Sequence, residues 1–492
     1  MTPQENPRNR PDAATPAGGR YRSAIGGLLA ALIVLELWWL YAPQPAVRWL
    51  VHGAVLLFAI GGLPLFRGRE FYLMTVAIAL SAAVVHWVPG PWEVIRKGLD
   101  QSGFLITFIL VLKLLEQGAT TSRAILACGR YMTEQPPGRR YASLTLGAHV
   151  LGVIVNLGTV SLLAPLVLRG VWHGRPRDPA DEIGMVRERR QLCALLRGFA
   201  WMVIWAPTAI GPAVLLTLIP GIEIHRLVTL GIGVAAVMMM LGWIEDRIRW
   251  RSLRRRLIAE GRLPAHPPLS FPARDFLGVL AVCAVFSLVT MLCSYAGGVP
   301  VVPGLMLAAP FVAFGWVLSQ NLAAGPGEAF TIARRRMGEM AAKALPQSAP
   351  IAMTLGLSAY IGVPAAALVP AAELAQALGI DRMPQWLFLS ILPVLLVMLG
   401  HLAVSPIMMA VFFGSVLGAV PHLPTDPTLV ALSLGCGWAV SMSATPFASV
   451  VLLTAQATGI PSTTLTWRWN GPFAAMTIPV LAGLFWLMTG GR

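Results

Sequence analysis

Four short polar interruptions inside long apolar runs carry the residue types that can do chemistry. The first reads Asn156-Leu157-Gly158-Thr159-Val160-Ser161, followed by Leu162-Leu163-Ala164-Pro165. The second reads Trp205-Ala206-Pro207-Thr208-Ala209-Ile210-Gly211-Pro212. The third is Gly400-His401-Leu402-Ala403-Val404-Ser405-Pro406, and the fourth is Ser441-Met442-Ser443-Ala444-Thr445-Pro446. Gly and Pro break the helical hydrogen-bond ladder. Freed backbone groups cannot face lipid, so such breaks belong where protein or a water-filled cavity satisfies them. Each break exposes a half-helix N-terminus with partial positive charge. Several such termini, with Ser, Thr and Asn beside them, make an anion site without any Lys or Arg. Carbonyls freed by the same breaks can hold Na+. The chemistry is therefore binding, and the candidate residues are Asn156, Gly158, Thr159, Ser161, Pro207, Thr208, His401, Ser405, Ser441, Ser443 and Thr445. One such motif alone reads as a packing kink, since small and hydroxylated residues are common in membrane helices. Four at matching places of the chain point to a site.

No Asp or Glu lies in these segments, so a carboxylate proton relay is not visible there. His401 is the one ionisable group in a break, and an imidazole is the side chain that changes charge between pH 5 and 8. His149, in the first arm of the first long segment, reads as structural. Glu36 lies inside the first apolar run, where charge is costly, and is expected to point into the bundle or reach the interface. A membrane-embedded transferase would want a base or metal carboxylate at the membrane face. The close acidic group Asp178, Asp181 and Glu182 is intermixed with Arg175, Arg177 and Arg187 and reads as a solvated loop. The other alternative is a non-transporting assembly subunit on a transporter-like fold. The five Cys show no CxxC and no His-paired spacing, which disfavours a disulfide framework or a zinc site. No metal or cofactor is expected beyond transported Na+.

The elements that must position these residues follow from composition. Of the 492 residues, 56% are hydrophobic and 12% charged, about half the charge of a soluble globular chain. That excludes an ordinary soluble enzyme and a disordered protein. The net charge of +15 is the balance of 37 basic residues, 34 Arg and 3 Lys, against 22 acidic ones, and the basic residues sit between apolar runs, the place of cytoplasmic membrane loops rather than of a nucleic-acid surface. Apolar runs fall near 24–42, 48–65, 71–88, 99–117, 143–172, 198–221, 226–244, 275–295, 301–320, 347–362, 385–418, 428–457 and 471–489. The first has no small-residue cleavage site after it and reads as an uncleaved helix, with Trp38 and Trp39 near its end at the interface. Segments 143–172 and 385–418 are long for one span and short for two, so each is expected to be a re-entrant hairpin, leaving about eleven full spans. With the N-terminus in the cytoplasm, the inner loops then hold 30 basic residues and the outer ones 6. Reading either hairpin as a full span would destroy this positive-inside bias. Segments 118–135 and 364–380, each just before a hairpin, are expected to be interfacial helices.

An internal repeat is visible. At a shift of 237, Gly198, Trp201, Val203, Thr208 and Val214-Leu215-Leu216-Thr217 fall on Gly435, Trp438, Val440, Thr445 and Val451-Leu452-Leu453-Thr454. The organisation expected is a disordered cytoplasmic tail (1–23), an extra first membrane helix (24–47), a first repeat (48–244), a basic cytoplasmic linker (245–274) and a second repeat (275–489). An odd number of crossings separates the repeats, so the second is inverted. Inverted repeats with interrupted helices are a signature of secondary transporters.

The pattern Asn156-x-Gly158-Thr159-x-x-x-Leu163-x-Pro165-Leu166-Val167 resembles the hairpin tip of arsenite permeases and related members of the ion transporter superfamily, which includes divalent-anion:sodium symporters. Ser443-Ala444-Thr445-Pro446 resembles their second break more loosely. The layout, one extra helix and two inverted repeats each with a hairpin, is similar over nearly the whole chain. The resemblance implies a scaffold and a moving transport part, an elevator mechanism and a homodimer. The expectation is an all-α polytopic protein of the bacterial inner (plasma) membrane. It is expected to be a non-enzymatic secondary transporter of a small anionic or polar solute, coupled to Na+ or H+, with no nucleic-acid partner. Tips 156–161 and 400–406 are expected to face one another near the midplane.

Overall fold

A computed structural model describes residues 16–491 except 137, 262–269, 378 and 421–422. The described residues are helices joined by short turns. The chain enters through α1 (Pro16–Tyr41). It continues through α2 (Pro45–Gly61), α3 (Gly68–Trp87), α4 (Pro91–Thr120) and a short α5 (Arg123–Thr133). The pair α6 (Arg140–Val155) and α7 (Gly158–Trp172) follows, then the broken α8 (Glu182–Met202) and α9 (Ile210–Leu218), then α10 (Ile224–Arg249). After α11 (Arg251–Ala259) the order recurs. It runs α12 (Ala273–Gly297), α13 (Val301–Ser319), α14 (Pro326–Ala367), a short α15 (Ala371–Ala377), and the pair α16 (Gln385–His401) and α17 (Pro406–Gly418). The broken α18 (Pro427–Ala444) and α19 (Ser449–Thr458) lead to α20 (Gly471–Thr489), preceded by a π-helical stretch over Thr464–Asn470.

Nine of the described helical stretches are long and apolar enough to cross a membrane. With α2 and the α8–α9 segment they stand at the eleven places where the sequence puts spans. The four helices α6, α7, α16 and α17 have 16, 15, 17 and 13 residues. At 1.5 Å per residue none reaches the roughly 30 Å of a hydrocarbon core. Exposed Trp49, Tyr72, Trp87, Trp92, Leu288 and Leu487 form part of an apolar outer surface suited to lipid.

Three boundaries differ from expectation. The first helix begins at Pro16, so 16–23 is helical rather than tail, and residues 1–15 lie outside the described residues. The linker 245–274 contains the end of α10 and all of α11. The span expected at 347–362 is the second half of one 42-residue helix, α14, and 321–346 is not a loop. Pro326 at its first turn fixes a helical φ, and Glu328 complements the N-terminal dipole. Pro346 lies within this helix, and Gly26 of α1 packs against it. The helices expected at 118–135 and 364–380 appear as α5 and α15, while their first residues complete α4 and α14.

Helix packing is reciprocal. The two buried helices α4 and α14 lie along one another, and α8 lies against α18. Packing of α3 on α14 is matched by α13 on α4, α6 on α8 by α16 on α18, and α7 on α19 by α17 on α9. Exchanging each helix for its counterpart leaves these pairings unchanged. One departure is that α14 also lies along α17, whereas α4 barely touches α7.

Close approach rests on small residues, as expected where lipid removes the hydrophobic drive between helices. A Cβ at Gly198 would sit 2.1 Å from the Thr145 carbonyl oxygen, so only glycine lets α8 meet α6. Buried polar groups pin the rest. Asp100 of α4 accepts from Arg48 Nε at 2.9 Å and lies 2.8 Å from His52 Nε2, both on α2. Thr354 of α14 donates to Glu70 of α3 at 2.7 Å. Buried Arg197 of α8 donates to Asn470 at 2.8 Å, to the Tyr141 hydroxyl at 3.1 Å and to Glu245 at 2.9 Å. Its guanidinium lies 4.2 Å from the Phe473 ring centre. Glu36 points into the bundle, where it is buried against Gly103 of α4.

Candidate functional site

The first helix pair turns at Asn156, which adopts φ 49° and ψ −133°. Asn tolerates positive φ better than most residues. Its Nδ2 donates to the Thr208 carbonyl at 3.2 Å, and the Thr208 hydroxyl donates back to the Val153 carbonyl at 2.5 Å. Val153 lies in the last turn of α6, whose carbonyls have no intrahelical partner. Trp205 Nε1 donates to His149 Nε2 at 3.0 Å, and His149 Nδ1 donates to the Gly198 carbonyl at 3.0 Å. One donated and one accepted bond fix a neutral tautomer, so His149 is a structural strut, as its sequence position suggested. Tip and break of the first half therefore form one docked unit.

The second half repeats the contact with different atoms. Gly400 abuts the second break: a Cβ there would lie 2.9 Å from Thr445 Cγ2 and 3.6 Å from Ser441 Oγ. The Thr445 hydroxyl donates to the Ser441 carbonyl at 3.0 Å, and that of Ser443 to the Val440 carbonyl at 3.1 Å. The halves meet where Trp438 packs against Gly211 and Ile204 against Gly435.

Thr159, Thr208, Ser405, Ser441, Ser443 and Thr445 are buried, so this conformation is closed over them. Asn156 and Pro207 are half-buried at the first tip and break. Two candidates lie apart. Ser161 is exposed on α7. His401 is exposed on the outer flank of its tip, its Nδ1 donating to the Val397 carbonyl at 2.8 Å and its ring stacked on Trp467 at 6.3 Å.

Two features of the region bear on what it could bind. The helices α7, α9, α17 and α19 all start at these breaks, and none has a side-chain cap on its first-turn N–H groups. Four buried polar atoms nearby also lack a partner among the described residues: Thr159 Oγ1, Ser441 Oγ, Trp201 Nε1 and Trp438 Nε1. A buried donor left unpaired costs about 1–3 kcal/mol, which a ligand or water would recover. Trp201 and Trp438 occupy equivalent places at the 237-residue shift. Their identity in the repeat was the signal that marked them, although a Trp otherwise reads as core.

Sequence reasoning also missed an ion pair at the first tip. Lys113 Nζ lies 2.8 and 2.7 Å from the two Glu116 oxygens, both residues on α4. The Glu116 carboxylate presses on Gly158, where a Cβ would fall 2.7 Å from Oε1. Gly158 thus earns its place by making room for a buried carboxylate. The available signal was the presence of ionisable groups within an apolar span.

No protein-family model matches the chain, and no curated protein matches it. Among solved structures it is similar to the YdaH transporter of Alcanivorax borkumensis, a protein described as having an unusual topology. The TM-score is 0.51 at 14% identity, and the superposition covers 86% of this chain and 99% of that one. The fold is thus that of a polytopic, all-α membrane transporter.

Proposed function

We propose that the chain is a secondary transporter of the bacterial inner membrane that moves a small anionic or polar solute by an elevator-type displacement coupled to Na+ or H+. The observation that carries this reading is the set of uncapped half-helix N-termini beside buried, unpartnered donors at the breaks of both halves. Each terminus contributes about 0.3–1 kcal/mol when exposed and up to ~2 when partly buried. Several together suffice for millimolar to micromolar binding, about −4.1 to −8.2 kcal/mol.

The reciprocal helix pairings and the matched residues at a shift of 237 support two repeats, 48–244 and 275–489, of opposite orientation. The short helices of each pair, both of which touch the broken helix that follows, support re-entrant hairpins with tips near the midplane. The 30-to-6 distribution of basic residues supports a cytoplasmic N-terminus. The fold shared with a transporter supports transport as the class of function, and the Asn156–Val167 pattern supports a tie to the ion transporter superfamily, with its homodimeric scaffold. The Lys113–Glu116 pair supplies a titratable group at the first tip and so favours H+ for coupling. Exposed His401 is less suited to that role.

Purified protein in liposomes, screened over organic and inorganic anions with and without Na+ and pH gradients, tests the reading. Gradient-dependent uptake of at least one solute is expected. Absence of uptake across the panel, from protein shown to be folded, would contradict it.

A further inference from the structure

Where α8 meets the corner between α10 and α11, a cleft of about 300 Å3 opens at the polar end of α10. Its wall carries Arg187, Arg190, Arg247, Arg251 and Arg254 and one carboxylate, Asp246. That carboxylate is already engaged: Arg190 grips it with two bonds of 2.9 and 2.6 Å. Asp181, whose charge acts on Arg187, caps the start of α8 by accepting from the Gly184 amide. Among the described residues Arg247, Arg251 and Arg254 form no ion pair with a carboxylate, and Arg187 is acted on by the charge of Asp181 without a salt bridge to it.

The corner is held in shape. Arg256 of α11 pairs with Glu182 of α8 at 2.5 Å. The Arg247 guanidinium lies 4.4 Å from the Trp243 ring centre, and that of Arg189 5.5 Å from the Trp250 ring centre. Burial, and then the charges of neighbouring Arg187 and Arg190, bring Arg140 down to about 10. Several guanidinium forks around a cleft without a free carboxylate match the oxygens of a phosphate group. The same wall includes Ile183, Val186, Leu253 and Leu257, an apolar strip at the end of a 26-residue apolar helix. Basic pockets between helices at that level suit lipid headgroups.

We propose that this cleft is a binding site for a phosphate-bearing group, held by Arg187, Arg247 and Arg254 and supplied by an anionic phospholipid headgroup or a free phosphate compound. The site is separate from the helix breaks and does not depend on the transport reading.

Purified full-length protein in detergent tests this with three probes: phosphatidylglycerol, phosphatidylcholine and inorganic phosphate. Lipid retention is read by native mass spectrometry and stabilisation by thermal unfolding. Phosphatidylglycerol is expected to bind and raise the melting temperature, and phosphatidylcholine to do neither. Each Arg→Gln change at 187, 247 or 254 should weaken binding about fivefold, and the double variant R187Q/R247Q roughly thirtyfold. R334Q/R335Q, on the exposed face of α14, should leave binding unchanged. Stabilisation by inorganic phosphate that needs Arg187, without a phosphatidylglycerol effect, would support the site with a soluble source. Arg254 is exposed on α11, so R254Q keeps the test valid should the double variant not fold. Equal phosphatidylglycerol affinity in wild type and R254Q, with no phosphate effect on either, would overturn the proposal.

Discussion

At Gly158 a single hydrogen atom stands where any side chain would strike the Glu116 carboxylate. Gly158→Ala should therefore displace Glu116 from the tip at an overpacking cost of about 1–3 kcal/mol. The expected result is transport reduced about tenfold or more, each 1.4 kcal/mol being a factor of ten, with an unchanged size-exclusion profile. Asn156→Gly keeps the positive φ but removes the bond to the Thr208 carbonyl. It should lower the uptake rate while shifting stability by only about 0.5–1.5 kcal/mol, measured by thermal unfolding. A stability loss well beyond that would make Asn156 a folding residue instead. Chemistry at this scale was half legible. Hydroxyls and Asn beside Gly and Pro announced themselves in one stretch of chain. Glu116 did not, because it lies 42 positions from Gly158 and only folding brings the two together. His401 read as a site residue because it sits in a break, but its ring turns outward onto Trp467.

Helix limits were legible wherever Gly or Pro coincided with the end of an apolar run, and misleading at α14. There the apolar run begins at 347 and the stretch before it holds Arg334-Arg335-Arg336, yet packing on α1, α3, α4 and α13 carries one helix through both. Paired helices invite a direct test. In a chain freed of its native cysteines, Arg139→Cys and Arg175→Cys flank α6–α7, and Arg382→Cys and Ala419→Cys flank α16–α17. A membrane-impermeant maleimide should label the first two from the cytoplasmic face and the last two from the outer face. Labelling of 139 and 175 from opposite faces would mean that this pair crosses the membrane. Arg197 tests what holds the first half together. Arg197→Met leaves Glu245 with Arg249 as its salt-bridge partner among the described residues, and with the charge of Arg189 nearby. Removing one member of a buried pair costs about 3–5 kcal/mol, so the unfolding temperature should fall clearly. An unchanged unfolding temperature would show that Arg249 and water compensate for the loss.

At the scale of the whole molecule, two series of nine helices among the described residues follow one order and pack on each other reciprocally. The 237-residue shift matches residues on either side of the α8–α9 and α18–α19 breaks, with Thr208 falling on Thr445 at the breaks themselves. Which helices touch across the halves was beyond the sequence, since apolar faces in a membrane protein meet lipid and protein alike. The central claim is that the two breaks bind one solute and carry it uphill. Its most direct test is concentrative uptake in proteoliposomes under an imposed pH or Na+ gradient, comparing wild type with Thr445→Val and Glu116→Gln. Wild type should accumulate solute above its outside concentration. Thr445→Val should weaken the apparent affinity, and Glu116→Gln should leave exchange but abolish pH-driven accumulation. Accumulation equal to wild type in both variants would contradict the account.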